Sequence, residues 1–442
     1  MRNSSAAKPL HINIISLGCS KNLVDSERLM SMLRRGGNTV TFESDEPSDV
    51  VIVNTCGFIG DAKEESVDTI LNQVEAKNAG LVGQLYVMGC LSERYRAELT
   101  TEIPEIDGIY GKFDWPAIAD RLSQKDTSEA VQALDDVPYR AVTTGPSNTF
   151  IKIAEGCNRF CAFCAIPLIT GRFKSRPVEE IEVEVRSLVN DGFSEFNIIA
   201  QDLSSYGLDL YGRLALPELI NRLADIPGVH WLRLHYAYPA QFPYGILDVI
   251  RERDNVCAYL DIALQHISDK VLSNMRRHIT GAETRALLAE IRRRVPGIHI
   301  RTTLMTGFPG EGEKEFNELL DFVREQRFER MGAFAYCEEE GTFGARNFAD
   351  DIPEEVKQER LDRLMALQEE ISLEIQQEKV GKVLEVVIDT EEEEFYVGRT
   401  QYDSPEVDPQ VLVRKTRTLV PGQYYNVRVT EALPFELIAE PC

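Results

Sequence analysis

Three cysteines in the run EGCNRFCAFC constrain this chain more than any other feature. Cys157, Cys161 and Cys164 have the spacing C-x3-C-x2-C, and the next cysteine along the chain is Cys257. Iron–sulfur clusters are normally held by four cysteine thiolates. Three nearby thiolates without a fourth therefore predict a cluster held at three corners, with one iron open to a substrate or cofactor. A reactive cluster needs this arrangement, whereas a pure electron carrier avoids it.

On the residues alone, the triplet could also be a zinc site or a set of packed thiols. Structural zinc sites usually close with four ligands, but no His or Cys follows Cys164 within the usual ~20 residues, so a zinc site would be incomplete. Free cysteines also pack as small buried hydrophobes. Three cysteines at this spacing favour a shared iron–sulfur cluster over both alternatives.

Three further cysteines follow predicted strands in the first 145 residues. The apolar segments 11–18, 49–58 and 84–90 are predicted strands, and 26–35 and 61–77 are predicted helices. This order predicts a small parallel sheet flanked by helices. The carboxyl ends of parallel strands share one edge, so Cys19, Cys56 and Cys90 are expected to converge there. Each cysteine alone would more often be a packed thiol, but as a set they favour a second open cluster.

The rest of the chain predicts two more domains. Residues 126–148, with several Pro and Gly, are typical of a linker. The next region alternates helices with six predicted strands, at 150–156, 195–201, 231–236, 259–265, 299–308 and 330–336, which indicates a TIM-like barrel, complete or incomplete. After a charged helix at 353–379, short strands at 383–388, 394–399, 411–413 and 424–429 indicate a small all-β barrel. The predicted fold is thus α/β, with domains at 1–145, 146–376 and 377–442.

Charge and cysteine usage limit the class of protein. The net charge is −24, and no segment is a basic footprint of the kind that nucleic-acid binding needs. Such an acidic surface attracts a basic partner, and a ribosomal protein qualifies. The nine cysteines are odd in number, which does not suit a secreted protein. His11 and Asn13 interrupt the apolar start, and no apolar run reaches the ~20 residues of a membrane span, so we predict a cytoplasmic protein.

The cysteine loop resembles that of the radical S-adenosylmethionine (SAM) enzymes. The segments SLGCSKNLVDSE, VNTCGFI and VMGCLSERY resemble the amino-terminal domain of one family among them, the methylthiotransferases. Three later segments are also similar to that family, namely CAIPLITGRFKSRP, LQHISDKVLSNMRR and TLMTGFPGE. In the first of these segments, Leu168-Ile169-Thr170 is a looser fit. The carboxyl-terminal β-barrel resembles a TRAM domain. The resemblance covers essentially the whole chain.

The resemblance implies two [4Fe–4S] clusters. Cys157, Cys161 and Cys164 would hold the cluster that binds SAM, whose cleavage gives a 5′-deoxyadenosyl radical. The second cluster would deliver sulfur and be held by Cys19, Cys56 and Cys90. An electron donor and a sulfur donor are implied as partners, and no catalytic side chain beyond the six cysteines is predicted.

The sequence defines the roles of other residues less clearly. By barrel geometry, Gln201, Asp202 and the turn 307–310 are candidates for SAM contact, with ordinary turn chemistry as the equal alternative. Cys257, Cys337 and Cys442 match no ligand position and are expected to be structural or exposed thiols.

Two branches of the family differ in substrate. One modifies isopentenyl-adenosine in tRNA, and the other modifies the β-carbon of an aspartate in ribosomal protein S12. The acidic run AYCEEEGTFGA resembles the second branch, although Cys337 stands where serine is usual. Residues 377–442 carry 7 basic and 13 acidic side chains, a net charge of −6, whereas an RNA-binding domain should be basic. Four consecutive glutamates at 391–394 also favour a domain that does not bind RNA, although a solvated turn explains them equally well. We therefore predict S12 as the substrate and tRNA as the alternative.

A hypothesis of another class is a non-catalytic iron–sulfur carrier or scaffold. Two open clusters suit it, but a scaffold needs neither a TIM-like barrel nor a TRAM-like domain. SAM turnover separates the two hypotheses, because a carrier should not produce 5′-deoxyadenosine.

Overall fold

The computed structural model of this chain describes residues 8–123 and 140–442. The chain forms two compact units. Unit 1 comprises Met1–Thr143 and Cys164–Arg172, and unit 2 comprises Thr144–Phe163 and Phe173–Cys442. Much of the predicted linker falls on residues 124–139, which lie outside the described residues. The three domain ranges expected from the sequence stay predictions.

Unit 1 contains a five-stranded parallel sheet. Its strands are β1 (His11–Ser16), β2 (Thr39–Phe42), β3 (Ser48–Thr55), β4 (Val82–Gly89) and β5 (Gly108–Ile109). Their spatial order is β2-β1-β3-β4-β5, and all neighbours are parallel. The three predicted strands are confirmed and form the centre of the sheet. β2 and β5, which are short and lie at the two edges, were not predicted from the sequence.

Helices cover both faces of this sheet. They are Ser20–Arg35, Gly60–Asn78, Cys90–Arg94, Arg96–Glu102, Trp115–Leu122 and Ile166–Thr170. Alternate residues of β3 enter two different apolar clusters, with Val50 and Ile52 in one and Val51 and Val53 in the other. Burial on both faces explains why this strand is an unbroken apolar run in the sequence.

Unit 2 is built on a six-stranded parallel sheet. Its strands are β6 (Asn148–Lys152), β9 (Glu195–Ile199), β10 (Trp231–Ala237), β11 (Val256–Ile262), β12 (His299–Thr306) and β13 (Arg330–Ala335). Their spatial order is β13-β12-β11-β10-β9-β6. A separate antiparallel pair, β7 (Ala154–Glu155) and β8 (Lys174–Ser175), follows β6. The six predicted strands are confirmed, and the sheet is an open, TIM-like barrel.

The helices of unit 2 connect these strands. They are Val178–Asn190, Leu208–Tyr211, Leu216–Ala224, Gly245–Glu252, Asp269–Asn274, Gly281–Arg294, Glu313–Gln326, Phe343–Asn347 and Glu354–Gln377, with a 3-10 turn at Leu203–Ser205. Thr280 and Glu283 form a capping box at the start of Gly281–Arg294, which satisfies backbone donors that a helix start leaves unpaired. No helix among the described residues is long and apolar enough to cross a membrane.

A closed β-barrel completes unit 2. Its strands are β14 (Val383–Glu391), β15 (Phe395–Arg399), β16 (Gln410–Arg414), β17 (Tyr424–Ala432) and β18 (Glu436–Pro441). The order around the barrel is β14-β15-β16-β18-β17. The first four of these strands were predicted. β18 was missed, and it closes the barrel by pairing with β16 and β17.

A buried carboxylate joins the β-barrel to the six-stranded sheet. Glu195, the first residue of β9, accepts two hydrogen bonds of 2.8 Å from Arg399 of β15 and pairs with Arg233 of β10. Arg399 also pairs with Asp389 at 2.7 Å. Burial alone would raise the pKa of Glu195, but the two guanidinium groups outweigh burial and lower that pKa to about 2.

A second set of contacts repeats this pattern along the same edge. Asp408 accepts hydrogen bonds from the Tyr259 hydroxyl at 2.7 Å and from Arg301 at 3.1 Å. Arg330, the first residue of β13, pairs with Asp403. The β-barrel therefore covers the amino ends of the sheet, and the carboxyl ends stay available for a site.

The buried carboxylate leads to a prediction on stability. Glu195→Gln should lower the free energy of unfolding at pH 7 by about 3–5 kcal/mol, because it removes the buried carboxylate that Arg233 and Arg399 share and leaves only Asp389 beside Arg399. The folded-state pKa lies below the unfolded value, so the stabilisation is present above the unfolded pKa and is lost as the pH falls toward about 2. Urea unfolding at pH 7 and pH 3 should therefore show a smaller difference between variant and wild type at pH 3.

Glu385→Gln provides the matched control. Glu385 of β14 pairs with His230 at 3.2 Å, and the two side chains are 45% and 39% exposed. Its loss should change the free energy of unfolding by less than about 1 kcal/mol. Equal losses in the two variants would contradict the role assigned to Glu195.

Candidate functional site

Three cysteines of unit 1 lie at the carboxyl ends of adjacent strands. Cys19 caps the amino end of helix Ser20–Arg35 after β1, and Cys56 directly follows β3. Cys90 directly follows β4 and begins the next helix. With strand order 2-1-3-4-5, the topology reverses between β1 and β3, and doubly wound sheets bind their ligands at this point. Cys19 and Cys56 flank that point.

Two glycines show how closely the strand ends approach. Gly18 has a φ of +86°, and a Cβ there would lie 2.8 Å from Sγ of Cys56. A Cβ on Gly57 would lie 2.8 Å from the carbonyl carbon of Cys90. Larger residues would push the cysteine-bearing turns apart. The Gly/Cys pairs at the strand ends are therefore explained by close packing.

Asn22 connects all three strand ends. Its side-chain amide donates to the carbonyls of Leu17 and Thr55 at 3.1 and 3.0 Å. Its oxygen accepts hydrogen bonds from the Cys90 thiol at 3.5 Å and from the Lys112 ammonium at 3.3 Å. Neither Asn22 nor Lys112 was predicted from the sequence. Two signals for Asn22 were its position one helical turn after Cys19 and its place in the family-like segment SLGCSKNLVDSE.

Nearby cations favour the thiolate at Cys19, whereas burial opposes ionisation at Cys56 and Cys90. Burial raises the pKa of Cys56 and raises that of Cys90 to about 12. Part of Cys19 is exposed to solvent, but the protein surrounds its thiol closely, and this desolvation by itself would raise the pKa of the thiol. The ammonium groups of Lys21 and Lys112 outweigh this effect and lower the pKa of Cys19. The thiolate is the form that ligates iron, and metal binding displaces thiol protons even from buried cysteines.

The cysteine triplet begins in unit 2, after the first strand of the sheet. Cys157 and Cys161 are buried, and burial raises the pKa of Cys157 to about 12. The backbone of Ala162 anchors the loop, since its N–H donates to Met275 at 2.9 Å and its carbonyl accepts from Gly344 at 2.6 Å. Loops that follow β6, β11 and β13 thus hold this part of the triplet.

Two arginines and a tyrosine lie against the loop. Arg277 donates to Sγ of Cys161 at 3.1 Å, and Arg159 pairs with Asp202 at 2.7 Å. Both guanidinium groups lie over the ring of Tyr238, at 4.1 and 4.2 Å from its centroid. Arg277 and Tyr238 were not predicted as site residues, although Arg277 lies in the family-like segment LQHISDKVLSNMRR.

Cys164 is partly buried and begins the segment that belongs to unit 1. Within unit 1, the following residues Ala165 and Ile169 form a small apolar cluster with Cys90. The chain directly after the last cysteine of the triplet therefore packs against one of the three strand-end cysteines.

The weaker candidates make both local turn contacts and long-range contacts, including the ion pair of Asp202 with Arg159. Gln201 bonds to Glu155, and Asp202 accepts from the backbone of Ser204 at 2.9 Å. The N–H of Gly307 donates to Glu311 at 2.9 Å. A role for these residues in SAM contact stays a prediction.

The three cysteines outside these two sets differ in exposure. Cys257 is buried, and Cys337 and Cys442 are exposed. Among the residues that the structure describes, no three His, Cys, Asp or Glu side chains gather closely enough to hold one metal ion. The cysteine donor sets match the thiolate ligands that iron–sulfur clusters use.

Models of three protein families match this chain. Residues 11–111 match UPF0004, described as an uncharacterized protein family. Residues 151–323 match the radical SAM superfamily, and residues 380–442 match the TRAM domain.

Curated relatives match along nearly the whole chain. A protein of Porphyromonas gingivalis named ribosomal protein uS12 methylthiotransferase RimO is 58% identical over 431 residues, covering 97% of this chain and 98% of the relative. The protein of the same name in Parabacteroides distasonis is 56% identical over 427 residues, covering 96% and 98%. That of Christiangramia forsetii is 47% identical over 442 residues, covering 100% and 96%.

Solved structures share the fold at low identity. The radical SAM methyltransferase TsrM from Kitasatospora setae has a TM-score of 0.55 and 15% identity, covering 74% of this chain and 75% of that one. The cobalamin-dependent SAM radical enzyme OxsB has a TM-score of 0.50 and 12% identity, covering 82% and 56%. At these identities the likeness shows the fold alone. The identity with the curated relatives is far higher and shows that this chain belongs to the RimO family of radical SAM methylthiotransferases.

Proposed function

We propose that this protein methylthiolates the β-carbon of an aspartate in ribosomal protein uS12 by radical SAM chemistry. The observation that carries this function is the 54–58% identity, over nearly the full chain, with relatives named for that activity. Iron–sulfur clusters and SAM are the cofactors of this chemistry. The tRNA enzyme and the non-catalytic scaffold are not favoured by these relatives.

The six cysteines divide between two clusters in this proposal. Cys157, Cys161 and Cys164 hold the cluster that binds SAM, and Cys19, Cys56 and Cys90 hold the second. When bound, the first cluster supplies the electron that cleaves SAM, and the second carries the sulfur. The polypeptide supplies the thiolates, orients them at strand ends and keeps water from the buried loops.

Packing inside unit 1 supports a shared role for the two cysteine sets. Ala165 and Ile169, just after Cys164, lie in one apolar cluster with Cys90. A reaction that passes sulfur to a radical needs its two cofactors near one substrate. Within unit 1, Cys164 of the first set and Cys90 of the second are linked through these two apolar residues.

Acidic surface supports a basic protein substrate. Glu338 and Glu340 are exposed just after β13, which ends at the carboxyl edge of the sheet. The glutamates at 391–394 are exposed at the turn between β14 and β15, and Glu391 pairs with Lys415 at 2.8 Å. Electrostatic complementarity raises the rate at which a basic partner associates. A solvated turn explains the second group as well, so the relatives carry the choice of substrate.

Three accessory features belong to the proposal. The reaction requires a one-electron donor of low potential and a donor of sulfur. We also infer that it takes place in the cytoplasm, where thiols stay reduced.

Mass spectrometry after anaerobic turnover tests the substrate. The reconstituted protein would receive SAM, a reductant and sulfide, with uS12 and unmodified tRNA in the same tube. We expect a methylthio mass increment on a uS12 aspartate and none on tRNA. An increment on tRNA adenosine would contradict the proposed substrate, and absence of 5′-deoxyadenosine from fully loaded protein would contradict the radical chemistry.

Cysteine substitutions should separate the two clusters. Cys157→Ala should abolish formation of 5′-deoxyadenosine, because the cluster that binds SAM loses a ligand. Cys56→Ala should leave SAM cleavage in place and prevent methylthiolation. Chromatography for 5′-deoxyadenosine and mass spectrometry of uS12 measure both steps. Cys442→Ala, at an exposed cysteine, is the control and should retain both, and methylthiolated uS12 from Cys56→Ala would contradict the two-cluster assignment.

Asn22→Ala should selectively weaken the second cluster. The variant leaves the Leu17 and Thr55 carbonyls without their amide donor and loosens three strand ends together. Iron and sulfide content should fall toward half of the wild-type value, while 5′-deoxyadenosine formation persists. Full iron content with normal methylthiolation would show that Asn22 does not position these cysteines.

A further inference from the structure

Arg277 places a buried positive charge on one cysteine of the triplet. It lies just after helix Asp269–Asn274, and only 3% of its surface is exposed. One terminal nitrogen of its guanidinium donates to Sγ of Cys161 at 3.1 Å. A charged donor makes a stronger hydrogen bond than a neutral one.

The protein fixes this guanidinium by several independent contacts. Its other terminal nitrogen donates to the carbonyl of Ala263. Its plane lies over the Tyr238 ring at 4.1 Å, and the Tyr238 hydroxyl donates to the Arg277 carbonyl at 2.7 Å. The backbone N–H of Arg277 donates to the carbonyl of Leu272 at 3.0 Å. The donor is therefore held in place by the surrounding chain.

The neighbouring cysteine has a different environment. Sγ of Cys157 accepts a hydrogen bond of 3.4 Å from the backbone N–H of Arg159, which is a neutral donor. The Arg159 guanidinium acts on Cys157 only at a distance and is itself paired with Asp202, whereas the Arg277 guanidinium bonds directly to Cys161. Such a difference between two ligands of one cluster calls for a role beyond general loop packing.

We propose that Arg277 is a positioning residue that raises the reduction potential of the cluster held by Cys157, Cys161 and Cys164. Reduction adds one negative charge to the cluster. A guanidinium bonded to a ligand sulfur in a buried site stabilises that charge, because hydrogen bonds to the sulfurs and local charge set cluster potentials. Arg277 acts through Cys161 and thereby eases electron entry from a low-potential one-electron donor. The proposal rests on the proposed function, which assigns these cysteines as ligands.

Redox titration of the loaded protein tests this inference. The variants are Arg277→Gln, which removes the charge, and Arg277→Lys, which keeps a charge but loses the fork of donors. Electron paramagnetic resonance of the reduced cluster would be recorded against solution potential. To isolate one cluster, the titration is made in the Cys56→Ala background. At a fixed solution potential, Arg277→Gln should show an about tenfold lower ratio of reduced to oxidised cluster. This corresponds to a reduction potential lower by about 59 mV for one electron. The potential of Arg277→Lys should lie between those of Arg277→Gln and the parent.

Arg276→Gln is the matched control. Arg276 is the adjacent residue and lies over the Phe343 ring at 4.6 Å. Its substitution removes the same charge from the chain, away from the sulfur. Its titration curve should match that of the parent, because direct contact with Cys161 produces the effect.

A second readout separates tuning from damage. In Arg277→Gln, 5′-deoxyadenosine formation should be slow with dithionite and recover with a stronger reductant such as Ti(III) citrate. Unchanged potentials in both Arg277 variants would overturn the inference, as would loss of the cluster from both, which would indicate a purely structural role. Failure of the Cys56→Ala parent itself to bind a cluster at the triplet would instead refute the ligand assignment in the proposed function.

Discussion

The Glu195 carboxylate sets the architecture of unit 2. It is buried between an arginine of the sheet and an arginine of the β-barrel. A buried charge is tolerated only when it is paired and hydrogen-bonded, so the barrel has to stay where Arg399 meets Glu195. That position covers the amino ends of the parallel strands. The carboxyl ends, where the cysteine loop follows β6, are not covered by these contacts.

Both units use the same property of parallel sheets. Loops after different strands meet at one edge, so Cys19, Cys56 and Cys90 lie at the ends of neighbouring strands although they are distant in sequence. In unit 1, Asn22 fixes the three strand ends through its two amide donors and its oxygen. In unit 2, Arg277 approaches a cysteine of the loop from a later connection. In each case a polar side chain, itself well buried, controls the environment of a thiol.

Strong local patterns could be predicted from the sequence. The run 49–58 is apolar because its strand is buried on both faces, whereas β12 alternates buried residues such as Ile300 with partly buried ones such as Arg301, and both strands were confirmed. The missed strands β2 and β5 are short and lie at sheet edges, where packing leaves a weak pattern. β18 was missed because its role is to close a barrel, and closure depends on partners elsewhere in the chain. The helix after Cys19 begins earlier than predicted, at Ser20, with Cys19 at the N-cap position and without a side-chain capping hydrogen bond.

The six candidate cysteines, the parallel order of the strands and the family could all be inferred before any contact was known. The cysteine sets and the strand order follow from local spacing and periodicity, and the family follows from the resemblance of segments such as VNTCGFI. In contrast, only the folded structure shows which polar groups contact the cysteines. It also shows which end of the six-stranded sheet the β-barrel covers. Asn22 meets Cys90 across 68 residues, Arg277 meets Cys161 across 116, and Arg399 meets Glu195 across 204. Hydrogen bonds and ion pairs act over about 3 Å in space and carry no signal in spacing along the chain.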